Sequence, residues 1–233
     1  MRSGKAYAGQ MIWTVATVAI EYIVGLPLAL LLNRRRPINA ILSGLVLLPW
    51  VTPSIVVAYT WRWLLDGQFG PIHYLLQQVG IAGARSFLTD PSTALWMVIL
   101  VSGWKGIPFM AIALLATLKS IPADLYEAAA VDGANGAQRF WYITMPMLRG
   151  VTVVMALVLG ILAFYSFDLV WIMTKGGPLD STLLIGVYLF RNFYERWELS
   201  YAATIGVSML VILIIFAGIY LRVLGRAQTQ SQR

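Results

Sequence analysis

The chain has 233 residues, of which 59% are hydrophobic and only 12% charged, and its formal net charge is +7. Soluble domains are about half apolar and about a quarter charged, so this composition indicates a protein whose main solvent is lipid. The sequence contains no cysteine and a single histidine, His73, which excludes a disulfide framework, a thiolate metal site and a multi-histidine zinc site. Neither a metal nor a cofactor is expected.

Five apolar runs are long enough to cross a bilayer, which requires about 20 residues of helix. They cover residues 11–33, 40–64, 92–118, 150–173 and 200–224. Each run is predicted to be helical, because lipid offers no hydrogen-bond partner to an open backbone. Four prolines inside the runs predict kinks or local unwinding rather than helix ends: Pro27, Pro49, Pro53 and Pro108. The expected fold class is an all-α membrane protein, a polytopic helical bundle that forms one domain over 1–233.

Basic residues predict the orientation, because short cytoplasmic connections carry the excess of Lys and Arg. One side holds Arg34, Arg35, Arg36, Lys119, Arg139, Arg149, Arg222, Arg226 and Arg233. The other side holds Arg85, Lys175, Arg191 and Arg196, with Arg62 near its edge. The first side, with the C-terminus, is therefore expected to be cytoplasmic. We attribute the net charge to contact with anionic lipid headgroups and expect no nucleic-acid partner.

Five spans place the N-terminus outside, although it carries Arg2 and Lys5. Either the charge bias is weak at this end or a further N-terminal helix is missing from this chain, and we favour the second explanation. The first residues do not form a signal peptide, because the apolar run after them is too long and ends at Arg34 rather than at a small-residue cleavage site.

A polar segment, residues 120–149, separates the third and fourth apolar runs. Pro122 suits the first turn of a helix, and the acidic Asp124 and Glu127 lie near the positive end of that helix. Gly133 is expected to end the helix in the left-handed conformation. A second short helix, "AQRFWYI", should then lead to the fourth span. These residues alone leave two interpretations open, an ordinary solvated loop and a surface against which another protein packs on small alanines.

The spacing within this segment resembles the EAA loop of ABC importer permeases. Glu127, Ala128 and Ala129 are followed after three residues by Gly133, and after nine more by the tetrapeptide Ile143–Pro146. The family pattern is E-A-A, three residues, G, nine residues, I-x-L-P, and the chain departs from it only in having Met145 where leucine is usual.

Three longer stretches are also similar to the carbohydrate-type, or F-type, members of the family. They are "LPWVTPSIVVAYTWRWLLDGQFGPIHYLL" (48–76), "WKGIPFMAIALLATLKSIPADLYEAA" (104–129) and "FDLVWIMTKGGPLDST" (167–182). The resemblance covers about residues 11–224.

The resemblance implies the type I importer permease fold and a transport subunit without enzymatic activity of its own. The 120–149 segment would be a coupling helix that docks on a dimer of cytoplasmic ABC ATPases. Its implied coupling residues are Glu127, Ala128, Ala129, Asp132, Gly133, Ile143 and Pro146. Glu127 would pair with a basic residue of the ATPase, so it should be exposed in the isolated subunit. The sequence lacks the G-x-x-x-x-G-K-[ST] phosphate loop, which agrees with this division of labour.

Further partners are implied by the same resemblance. They are a second homologous permease, an extracytoplasmic solute-binding protein that docks on 66–90 and 175–198, and the lipid of a bacterial inner membrane, which this chain would cross several times.

Polar residues within the spans are candidates for the substrate pathway, because such residues usually face a cavity rather than lipid. The candidates are Ser102, Gly106, Phe109, Tyr165, Ser166, Asp168 and Trp171. Aromatic faces and hydroxyl groups suit a sugar, although aromatic residues near a span end also serve as interfacial anchors and small residues as packing contacts. The intramembrane charges Glu21 and Lys105 are predicted to pair across helices.

Two other functions compete with the importer subunit. A self-contained secondary carrier would usually show internal repeats, and none is evident. An intramembrane enzyme is disfavoured because the sequence contains neither H-E-x-x-H nor G-x-S-x-G.

Overall fold

A computed structural model describes residues 2–34, 37–80 and 86–231, excluding the side chains of residues 40, 219–221 and 223–231. Of the basic residues used to predict the orientation, Arg35, Arg36, Arg85 and Arg233 lie outside the described residues, as does the side chain of Arg226. All regular secondary structure in the described part is helical, which confirms the all-α fold class.

The first half of the chain contains one long helix, four shorter ones and a second long helix. In order they are α1 (Arg2–Leu32), α2 (Ile38–Val46), α3 (Leu48–Val51), α4 (Ser54–Leu64), α5 (Pro71–Gln78) and α6 (Ala94–Ser120). The second half contains α7 (Ala123–Val131), α8 (Gly136–Arg139), α9 (Met145–Phe164), α10 (Asp168–Thr174), α11 (Ile185–Phe190) and α12 (Leu199–Ser231). A π-helical turn, Phe140–Thr144, joins α8 to α9, and another, Arg191–Glu195, follows α11.

Four helical segments of the described chain are long and apolar enough to cross a membrane: Arg2–Leu32, Ala94–Ser120, Gly136–Phe164 and Leu199–Gly218. A fifth candidate is the bent pair Ile41–Val51 and Ser54–Leu64. The spans differ in how much of them the rest of the chain covers. Half of the most apolar window of α6 is buried, compared with 11% of that window in α12.

The predicted second span, 40–64, is not one helix. It ends at Val51 and resumes at Ser54, and its two parts meet at 90°. The reason is Pro53, which has no N–H to donate and disfavours the helical conformation in the residue before it, so Thr52 is extended at ψ 129°. Pro53 therefore ends a helix, against the expectation, whereas Pro27 and Pro108 lie inside continuous helices.

The predicted fourth span, 150–173, is also wrong as a single helix. The chain is helical from Gly136, α9 ends at Phe164, and the separate helix α10 begins at Asp168 and packs against α4. The predicted second short helix of the polar segment is not separate either, because α8 continues through the π turn into α9.

The bundle is centred on α1, which packs along α6 and also contacts α9. The N-terminal half of α1 contributes Trp13 to one apolar cluster, and the C-terminal half contributes Ala29 to a second. The second cluster includes Leu118, which lies just before the 120–149 segment, and Leu148, which lies at its end. Between these two clusters, at the middle level of the bundle, α1 carries the buried polar residues Thr17 and Glu21.

Candidate functional site

A cavity of about 540 Å³ lies at this middle level, between the two apolar clusters. It is bounded by α1, the bend of α3 and α4, α6, and the break after α9. Its lining consists of Thr17, Glu21, Trp50, Ser54, Ser102, Lys105, Gly106, Leu159, Leu162, Ala163, Tyr165, Ser166, Phe167, Asp168 and Leu169. Five of the seven pathway candidates are thus brought together at one cavity: Ser102, Gly106, Tyr165, Ser166 and Asp168.

The wall formed by α1 carries two buried polar side chains one helical turn apart. Thr17 and Glu21 are 1% and 4% exposed, and the Thr17 Oγ1 and Glu21 Oε2 atoms have no hydrogen-bond partner. The carboxyl group of Glu21 lies directly over Gly106, where an added Cβ would stand 1.8 Å from Oε1. Glycine at position 106 therefore makes room for the acid on the neighbouring helix.

Lys105 does not pair with Glu21, so that prediction is wrong for this conformation. The Nζ atom of Lys105 instead donates to the carbonyl oxygen of Trp50 at 3.4 Å, beside the break between α3 and α4. The two described ion pairs lie elsewhere, at the start of α1, where Asp180 contacts Arg191 at 2.9 Å and Arg2 at 3.3 Å.

The break after α9 is held in place by two side chains of α1. The indole nitrogen of Trp13 donates to the carbonyl of Ala163 at 3.0 Å. Gln10 donates to the carbonyl of Phe164 at 3.3 Å and accepts from the backbone N–H of Ile185 at 3.2 Å. A helix end leaves its last carbonyls and first N–H groups without intrahelical partners, so Gln10 satisfies one end of α9 and the start of α11 at once.

Sequence reasoning missed these positioning residues, although a signal was present. Gln10, Trp13, Thr17 and Glu21 recur at helical spacing on one face of an otherwise apolar run. A polar stripe of this kind on a membrane helix indicates a face turned toward protein or a cavity.

Two pathway candidates lie outside the cavity lining. Phe109 stacks on Trp50, with ring centroids 5.4 Å apart and planes 3° from parallel. Trp171 stacks on Phe167 at 5.6 Å. Both rings therefore support an aromatic residue of the cavity wall from behind.

The 120–149 segment presents a sharply bent, exposed surface. No residue of α7 is buried, Glu127 and Ala128 are exposed, and Ala129 is half-buried. Gly133 has φ +82°, the left-handed conformation that glycine adopts at little cost. Asn135 and Gln138 then form a reciprocal capping box at the start of α8, with N···O distances of 2.9 and 2.8 Å.

The remaining candidates of this segment lie around α7 and the bend after it, residues 123–135, which we call the elbow. Asp132 caps α7 next to Gly133, the half-buried Ile143 lies in the π turn, and Pro146 is exposed in the first turn of α9. The exposure of Glu127 agrees with the prediction made for a residue that contacts another protein. Among the described residues, no three His, Asp or Glu side chains are grouped so that they could hold a metal ion.

Comparison with known proteins shows which family the chain belongs to. A family model described as "Binding-protein-dependent transport system inner membrane component" matches residues 21–230. The trehalose/maltose transport system permease protein MalF of Thermococcus litoralis is 37% identical over 170 residues, which are 73% of this chain and 57% of that protein. The maltose/maltodextrin transport system permease protein MalF of Salmonella typhimurium is 36% identical over 180 residues, 75% of this chain and 35% of that protein. The chain therefore spans about a third to three-fifths of the length of these relatives.

Solved structures show the same fold. A bacterial ABC transporter involved in the import of alginate superimposes with a TM-score of 0.81 at 23% identity, over 95% of this chain and 80% of that one. The MetNI methionine ABC transporter superimposes with a TM-score of 0.68 at 17% identity, over 97% of this chain and 95% of that one.

Proposed function

Because this chain belongs to the family of binding-protein-dependent transport system inner membrane components, we propose that it is a transmembrane subunit of an ATP-driven importer. It forms half of the translocation pathway for a sugar or a related solute, which an external binding protein delivers. The observation that carries this proposal is the exposed, glycine-hinged elbow at the start of a helix whose far end lines the cavity. A self-contained secondary carrier needs no such elbow.

The elbow is the coupling surface for a separate ATPase. The exposed carboxylate of Glu127 pairs with a basic residue of the ATPase, and the small side chains of Ala128 and Ala129 permit a close approach. Asp132 and Gly133 set the bend, while Ile143 and Pro146 connect the bend to α9. Nucleotide-driven closure of the ATPase dimer moves the elbow, and α9 moves with it.

The cavity is this chain's share of the solute pathway. Ser102, Tyr165, Ser166 and Asp168 supply hydrogen-bonding groups, and Gly106 opens space beside them. The wall combines these groups with apolar and aromatic surface, which suits a solute with C–H faces and O–H edges. Phe109 and Trp171 act behind the wall by fixing Trp50 and Phe167. The names of the relatives, maltose and trehalose permeases, support a sugar.

A second, homologous permease closes the pathway from the other side, and the binding protein docks on 66–90 and 175–198. The alginate transporter that shares this fold has been seen with a periplasmic protein carrying an alginate pentasaccharide, which supports such a partner. The assembly lies in a bacterial inner membrane, with the elbow and the C-terminus on the cytoplasmic side.

Purification of the complex tests this function. The chain should co-purify with an ATPase, and Glu127→Lys should leave ATP hydrolysis measurable while abolishing ATP-dependent uptake into proteoliposomes. Asp124→Lys, which makes the same charge change of two units at an exposed position of α7 outside the predicted coupling residues, is the control. Solute-driven uptake by this chain alone in liposomes would refute the proposal.

A further inference from the structure

The elbow of α7 is joined to α9 by a hydrogen bond between two side chains. The hydroxyl groups of Tyr126 and Thr144 lie 2.9 Å apart. Tyr126 is half-buried, whereas most of α7 faces solvent. Thr144 is only 5% exposed, so the bond anchors an otherwise loosely held helix to a fixed point beneath it.

Thr144 is the last residue of the π turn, and this winding determines where its hydroxyl group lies. A π turn contains one more residue than the corresponding α-helical turn, so residues after it are rotated by about 100° relative to an uninterrupted α-helix. The same hydroxyl lies 3.5 Å from the carbonyl oxygen of Arg139, five residues earlier. The π turn therefore supplies both the orientation of Thr144 and a second acceptor for it.

Beyond Thr144, the chain continues as one rigid element. Helix α9 has 20 residues and, at 1.5 Å per residue, is about 30 Å long. Its far end brings Leu159, Leu162 and Ala163 to the cavity wall. A displacement of Thr144 is thus carried to the cavity without a flexible joint between them.

We propose that the Tyr126–Thr144 hydrogen bond is the tie through which α9 follows the movement of the elbow. Both are positioning residues, since neither lines the cavity nor belongs to the exposed docking face. The inference rests on the proposed coupling function, because it concerns how a movement imposed on α7 reaches the cavity. Without the tie, α7 moves with the ATPase while α9 lags behind.

Distances between spin labels in the complete complex test this tie. The chain has no native cysteine, so pairs of cysteines can be introduced at exposed positions. One pair, 100 and 130, reports on α7 relative to α6, and another, 100 and 154, reports on α9 relative to α6. Each pair is measured with and without ATP–vanadate in Tyr126→Phe, Thr144→Val and Thr144→Ser backgrounds. Tyr142→Phe is the matched control, because Tyr142 is 80% exposed.

In the parent complex we expect ATP–vanadate to change both distances. In Tyr126→Phe and Thr144→Val, the 100–130 change persists, while the ratio of complexes that show the 100–154 change to those that do not falls about fivefold, the equivalent of one hydrogen bond of about 1 kcal/mol. Thr144→Ser, which keeps the hydroxyl group, retains the 100–154 change of the parent. The double variant Tyr126→Phe/Thr144→Val shows no smaller a change than either single variant, because both substitutions remove the same hydrogen bond.

Two outcomes separate this inference from the function on which it rests. If the 100–130 distance does not respond to ATP–vanadate in the parent complex, the coupling function itself fails, and the tie with it. If that distance responds and α9 follows equally in Tyr126→Phe, the tie alone is refuted.

Discussion

Replacing Gln10 by leucine should destabilise the protein more than any exposed glutamine substitution. Gln10 is fully buried and connects the end of α9 to the start of α11 through its amide group. Leucine fills a similar volume but leaves the carbonyl of Phe164 and the N–H of Ile185 without this partner. A buried polar group left unpaired costs about 1–3 kcal/mol, and hydrogen bonds measured within membrane proteins average about 0.6 kcal/mol. Two groups therefore predict a loss of about 2 kcal/mol.

The free energy of unfolding of the purified complex is measured by denaturant titration in mild detergent. The control is Gln78→Leu, at an exposed position of α5, which should change the free energy of unfolding by no more than about 0.5 kcal/mol. Solute-stimulated ATP hydrolysis should also weaken in Gln10→Leu, because the break that it holds lines the cavity. Equal stability of the two variants would refute the view that Gln10 fixes this break.

Three further predictions concern single positions. Gly133→Ala should lower ATP-dependent uptake and cost about 1 kcal/mol, because alanine is strained at φ +82°; Gly136→Ala, which also has open space but no positive φ, should be nearly neutral. Gly106→Ala should reduce solute uptake several-fold by displacing the carboxyl group of Glu21. Adding Glu21→Asp, whose side chain is one methylene shorter, should partly restore uptake; an equal loss of uptake in the single and the double variant would contradict this reason. Hydrogen bonds from the backbone N–H groups of Phe69 and then Gln68 lower the pKa of the half-buried Asp66 from its usual 3.8. The small stabilisation that this gives is fully present above pH 3.8 and is lost as the pH falls through the lowered pKa, so the free energy of unfolding of Asp66→Asn should lack this pH dependence in acid.

The spans and the elbow could be predicted because their signals are local. A long apolar run indicates a membrane helix whatever packs on it, and α1, α6 and α12 coincide with three such runs. The elbow follows from Pro122 before α7 and Gly133 after it, both of which restrict the backbone through their own geometry. The family model that matches 21–230 agrees with the resemblance seen in this elbow.

The break after α9 could not be predicted because its cause is remote in the sequence. The sequence predicts a continuous span through residues 165–167, because nothing in an aliphatic run with a few polar residues forces a helix to end. The helix can end there because Trp13 and Gln10, about 150 residues earlier, donate hydrogen bonds to the carbonyl oxygens of Ala163 and Phe164. The Glu21–Lys105 pairing failed for a related reason, since opposite charges at one depth do not specify how each helix is rotated.

The sparse cover on α12 has a consequence for how the chain behaves outside a membrane. Only 11% of its most apolar window is buried by this chain, and Leu210, Ile214 and Ile215 are all more than half exposed. Helix α12 therefore has an apolar flank that the rest of the chain does not cover. An isolated chain must therefore keep that flank in lipid or detergent, because apolar surface of this kind is costly to expose to water.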